Sequence, residues 1–211
     1  MTSLVALSFR LKAIVDFIGK LATLLLIPLM LVTVWDVFAR KLVWIQIFMV
    51  ENFGSIFEST LLQELEWHLH TALFAMVFGY GYTHNRHVRV DFLREKMRFR
   101  KQAWIEFLGC TFFVIPFAMI ITYFAVIYAY DSYVINEQSV SLVGLSHRWI
   151  IKSILIFGFI IFLLAGVSVW LQTYVVLFGS EKQRFELMTL TWPDGPEEAS
   201  GEERTVEQAA Q

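Results

Sequence analysis

The sequence predicts an all-α integral membrane protein, a four-helix bundle with an extra interfacial helix between its first two spans and both termini in the cytoplasm. Three observations lead there. Of the 211 residues, 57% are hydrophobic and 17% charged, with a mean hydropathy of +0.58, whereas a soluble domain carries roughly a quarter charged residues. Long apolar stretches alternate with short polar ones. Seven of the seventeen Lys and Arg residues fall within residues 86–101, the pattern of a loop retained on the cytoplasmic side. The net charge of −2 averages this basic loop against an acidic tail, so it points to neither nucleic acid nor an acidic partner. The single cysteine, Cys110, lies in an apolar stretch, which excludes an intrachain disulfide and a thiol pair for redox work.

The first span is placed at about residues 15–38. Arg10, Lys12 and Lys20 precede an apolar run at 21–35, superficially like a signal peptide, but the run ends in Val32, Val34 and Trp35 rather than a small-x-small cleavage site. Its fifteen uncharged residues reach only about 22 Å against roughly 30 Å of hydrocarbon, so Lys20 must snorkel to one face and Asp36 must lie near the other. Asp36 and Arg40 stand four apart, acid first, as a helical ion pair prefers. Residues 41–63 are too charged to span, with Glu51 and Glu58, and too apolar for a plain loop. They predict one or two short interfacial helices at about 42–62, bent at Gly54. The second span follows at about 65–83, opened by Glu64, Glu66, His68 and His70.

After the basic loop comes a third span at about 103–130, with 24 residues free of formal charge between Glu106 and Asp131. Pro116 is expected to kink it without stopping it, since a bundle supplies other partners for the freed carbonyl. A polar connection leads to the fourth span at about 149–178. Residues 1–180 thus form one membrane domain, and residues 181–211, whose last eighteen carry six acids against one Arg, are expected to be a disordered cytoplasmic tail. The side holding both termini and the basic loop carries thirteen Lys and Arg and the other side four, which sets the orientation.

Few constellations could carry chemistry. There is no nucleophile elbow, P-loop or HExxH. Gly79-Tyr80-Gly81 opens no βαβ unit and serves close helix approach. His68, His70 and His147 lie at comparable depth and raise a haem- or quinone-binding membrane anchor as the alternative function. However, His68 and His70 are about 200° apart around a helix and cannot share one metal. Asp36, Arg40, Glu64 and Glu66 could line a transport path, yet all lie at interface depth, whereas a transporter's substrate site is expected near the midplane. In the basic loop, residues 94–101 can act simply on orientation and on membrane lipid. The alternation His87-Val88-Arg89-Val90-Asp91 is more ordered than that and reads as a specific contact.

These residues resemble the small membrane subunit, the DctQ-like family, of tripartite ATP-independent periplasmic (TRAP) transporters. The matching features are Asp36-Val37-Phe38-Ala39-Arg40 closing the first span, Glu64-Leu65 opening the second, Phe74 and Phe78-Gly79 within it, and the His87-to-Asp91 turn. The Glu137-Gln138-Ser139 connection ahead of a last span near Trp149 also fits. The resemblance covers roughly residues 13–178. It implies a non-enzymatic inner-membrane subunit of a bacterium, scaffolding a large multi-span permease subunit that takes up an organic acid from a periplasmic solute-binding protein. No cofactor or metal is expected in this chain, and sodium belongs to the large partner. Carried over by position, Asp36, Arg40, Glu64, His87, Arg89 and Asp91 are the expected subunit-interface or structural residues. Two features depart from the family's pattern: a long segment between Arg40 and Glu64, and the acidic tail.

Overall fold

The computed structural model describes residues 2–86, 97–141, 143–179 and 185–192, and every regular element among them is helical. In chain order these are α1 (Thr2–Thr23), α2 (Leu26–Lys41), α3 (Val43–Phe53), a single 3-10 turn (Ser55–Phe57), α4 (Ser59–Thr83), α5 (Phe99–Gly109), a π-helical stretch (Cys110–Val114), α6 (Ile115–Val134) and α7 (Trp149–Phe178). Three rods are long and apolar enough to cross a membrane: Ser3–Lys41, Phe99–Val134 and Trp149–Phe178. At 25 residues, α4 is about 37 Å long. Its first half carries Glu64, Glu66, His68 and His70, which lowers its hydropathy.

Two prolines account for the interruptions. Pro28 has no N–H, and its ring crowds the carbonyl four residues back, at Leu24. There the expected single first span divides into α1 and α2. The chain tightens to three-residue bonds, with Leu24 N, Leu25 N and Ile27 N donating to Leu21 O, Ala22 O and Leu24 O at 3.1, 2.9 and 3.2 Å. Pro116 stands at the start of α6, and the carbonyl four back belongs to Phe112, inside the π stretch. A local widening absorbs the proline and the rod continues. The expected interfacial segment at 42–62 is shorter than its sequence suggested. It comprises α3 and the 3-10 turn, separated by Gly54 at φ 90°, and α4 already begins at Ser59.

The most buried helix is α7, packed against α4, α6, α1 and α5. Ile161, Phe162, Ala165 and Val169 form the middle of the core with Val15, Tyr82, Cys110 and Ala118. α4 and α7 run in the same direction, since Glu64 meets Arg148 at one end and Phe78 stacks on Phe162 further along. α1 and α2 run opposite to α4, with Asp36 at its start and Asp16 at its end. α5 and α6 run opposite to α7, as the Tyr133–Trp149 and Trp104–Phe178 contacts require. Small residues permit the closest crossings: a Cβ on Gly158 would fall 2.6 Å from the Ala75 carbonyl oxygen, and one on Gly79 would fall 3.0 Å from that of Ile161.

The expectation that the tail is disordered from residue 181 needs correction at 185–192. Gln172 of α7 is buried, its Nε2 donating to Glu186 O (3.3 Å) and its Oε1 accepting from Met188 N (3.0 Å). Met188 and Leu190 are buried beside it, and Trp192 lies against Phe99. Leu187, Met188, Leu190 and Trp192 supply the apolar surface that the acidic composition further on hides. Residues 193–211 lie outside the described residues.

The glycine crossings give a direct test of packing. Gly158→Ala is expected to destabilise the protein by about 1–3 kcal/mol, the cost of overpacking a tight contact. Gly81→Ala, whose Cβ would meet nothing within 4 Å, should be neutral or stabilising by up to about 1 kcal/mol, the helix-propensity difference. Thermal unfolding in detergent checks both, and equal shifts would contradict the close α4–α7 approach.

Candidate functional site

The polar residues gather at the two ends of the bundle. At the start of α4, Asp36 is fully buried. It is held by Arg40 from its own helix (Nη2 to Oδ2, 2.6 Å) and by Ser59, whose Oγ donates to Oδ1 at 2.6 Å. Arg40 keeps its guanidinium 48% exposed, so the pair faces outward and ties α2 to the first turn of α4. Around it, Trp35 Nε1, Glu58 Oε2 and Glu66 Oε1 are buried without a hydrogen-bond partner among the described residues.

One turn further along, Glu64 fastens the connection between α6 and α7. Its Oε1 accepts from Ser139 Oγ and from Arg148 Nη2 (3.0 Å), and its Oε2 accepts from Leu145 N at 2.5 Å. Arg148 also lies over the Trp67 ring, 5.6 Å from its centroid. Gly144 is required here because a Cβ would run into Ser139 and come within 2.7 Å of the Glu64 carboxylate. A second staple closes the same connection: Lys152 bonds Glu137 and stands 3.6 Å over the Tyr128 ring. The bond from Lys152 holds the Glu137 carboxyl below the ordinary carboxylate range.

A third cluster occupies the far end of α4. Asp16 pairs with Lys12 (2.5 Å) and takes longer contacts from Thr83 Oγ1 (3.5 Å) and His84 Nδ1 (3.6 Å). Thr83, the last residue of α4, stands three residues before the basic stretch that begins at Arg86. From Asp16 to Asp36 the chain climbs twenty residues, about 30 Å if helical throughout, which is the thickness of a bilayer's hydrocarbon core.

The structure therefore joins Asp36 to Arg40 and places Glu64 in a separate network one turn away. His87, Arg89 and Asp91 lie outside the described residues. Sequence reasoning missed Asp16, although Lys12 and Asp16 show the four-residue spacing of a helical pair. It also missed Ser59, Gly144 and the role of Arg148, whose partners are remote in sequence and carry no local signal. The histidines do not converge: His68 Nδ1 donates to Glu64 O at 2.6 Å, and His68 and His70 line different grooves. No group of three or more His, Cys, Asp or Glu able to hold a metal occurs among the described residues. What the arrangement does is fasten helix ends and loops.

A family model described as the DctQ component of tripartite ATP-independent periplasmic transporters matches residues 29–175, well over half of the chain. No curated protein and no solved structure matches it. The matched stretch contains the Asp36 and Glu64 networks but neither Asp16 nor residues 185–192.

Breaking the Glu64 network should be costly, because Arg148 would keep its charge in a largely enclosed site. Glu64→Gln is expected to destabilise the protein by about 3 kcal/mol, and Ser139→Ala, which removes one neutral donor, by about 1 kcal/mol. Unfolding curves in detergent measure both, and a wild-type midpoint for Glu64→Gln would remove Glu64 from the role assigned to it.

Proposed function

The chain belongs to the DctQ family, the small permease component of TRAP transporters, and on that footing we propose that it scaffolds a large sodium-coupled elevator subunit. That partner would take up an organic acid delivered by a periplasmic solute-binding protein. The family is a transporter component and not an enzyme family. The single observation that best supports a scaffold is the placement of the ionic clusters: they lie at the two ends of the bundle and are engaged in joining elements. Sodium and the organic acid then have their sites in the large subunit, and this chain carries no cofactor of its own.

In this reading residues 1–180 are a four-span domain in the bacterial inner membrane. α4 is the fourth crossing segment, alongside the three more apolar rods, because it runs from the level of Asp36 to the level of Asp16. Both termini and the basic loop face the cytoplasm, in line with the distribution of Lys and Arg. The outer rim around Asp36, Arg40 and Glu64 faces the periplasm. Its buried polar atoms on Trp35, Glu58 and Glu66 favour a partner that completes them, since such atoms are costly to leave unmade. On the cytoplasmic side, His87, Arg89 and Asp91 form the assembly turn, and the tail from 193 onward stays in the cytoplasm.

Uptake driven by an inward sodium gradient, in proteoliposomes containing the large subunit and its binding protein, is expected only when this chain is present. Full uptake without it would sink the proposal. Within the loop, Arg89→Ala or Asp91→Ala should lower complex yield and uptake more than Arg98→Ala. Equal losses would reduce the turn to bulk charge.

A further inference from the structure

The break between α1 and α2 leaves a groove of about 400 Å³ along one side of α4. Thr23 and Leu26, on either side of the break, form one wall. Leu73, Val77 and Gly81 of α4 form the other, and Arg86 closes one end. The lining is otherwise almost wholly apolar. Lys20, exposed and one turn before Thr23 on α1, is not part of the lining but stands within a turn of it. Asp16, the nearest acid on that helix, is already paired with Lys12.

From His70 to Gly81 the groove extends about 16 Å along α4. That is close to half of the roughly 30 Å hydrocarbon core, the depth of one leaflet. A transmembrane helix of the same length, about 10 Å across, would fill roughly 1,250 Å³ and could pack over the mouth of the groove but not be enclosed by it. A single flexible chain can lie within it. The cationic end completes the chemistry, because basic pockets between membrane helices on the cytoplasmic side take anionic head groups. We infer that this groove holds one anionic phospholipid of the cytoplasmic leaflet, one of its two acyl chains lying between the α1–α2 break and α4 and its phosphate at Arg86, within reach of Lys20.

The inference rests on the proposed topology only for the choice of leaflet. Gly81 provides the means to test occupancy, since it lines the groove and a Cβ there would meet nothing within 4 Å. Gly81→Leu therefore fills the groove without forcing a helix crossing. Gly109→Leu is the control, at a position equally open but outside the groove. The delipidated full-length protein is titrated with phosphatidylglycerol or phosphatidylcholine, and bound lipid is counted by native mass spectrometry.

The wild type and Gly109→Leu are expected to hold one phosphatidylglycerol in preference to phosphatidylcholine, and Gly81→Leu to lose it. Arg86→Gln should retain a lipid but lose about fivefold of the preference, as expected for one cation near an anionic surface. Undiminished binding by Gly81→Leu, or equal retention of the two lipids by the wild type, would overturn the inference. So would unchanged lipid binding by Gly81→Leu combined with loss of the co-purifying large subunit, which would assign the groove to protein. Labelling of Asn85→Cys from the cytoplasmic side reads the leaflet separately. Labelling from the other side would overturn the leaflet assignment and the topology, leaving the occupancy result to stand or fall by itself.

Discussion

A charge placed in hydrocarbon finds no water, and the arrangement of this chain follows from that constraint. Asp16 and Asp36 lie about 30 Å apart along α1 and α2, and each is met by a side chain from an end of α4. Matching those two ends fixes the register of α4 against the first rod. α7 then takes its register from α4 through Glu64 and Arg148 at one end and through Gly158 lying on Ala75 further in. The connection between α6 and α7 inherits its course from the same carboxylate. One electrostatic limit thus propagates through three helices by contacts that each involve only a few atoms.

The two prolines within the rods show how the same covalent defect produces different local structure. Pro28 is followed back by a tightening of the backbone and Pro116 by a widening. The surroundings account for the difference. The π stretch faces a packed neighbour: Thr111 bonds back to Phe107 O and accepts from Trp170 Nε1 at 2.9 Å. The Pro28 break lies in a rod whose outer face is open, with Leu24, Ile27 and Leu31 all exposed. There the chain is free to separate into two helices, and the space it leaves against α4 is the groove described above.

Much of the helical architecture was legible in the sequence, because apolar length and the spacing of charged residues speak directly to helices in a bilayer. Asp36 and Arg40 were legible as a pair for the same reason, being four apart on one helix. The Glu64 network was not. Its donors come from residues 75, 81 and 84 positions away, and no local pattern marks them. Asp16 was not legible as a site because it precedes the first apolar run among the basic residues Arg10, Lys12 and Lys20, which speak to orientation. The clip at Gln172 was hidden by averaging, since the apolar residues from Leu187 to Trp192 were read together with the acids that follow.

α3 contributes no buried residue, and Val43, Trp44, Ile47 and Phe48 are all more than half exposed. Removing it would therefore subtract nothing from the core that holds the other helices together. Such a segment is held differently from the rods on either side: it packs mainly on α2 and the 3-10 turn and leaves these apolar side chains facing outward. The segment between Arg40 and Glu64 can thus meet membrane or protein surroundings without disturbing the scaffold.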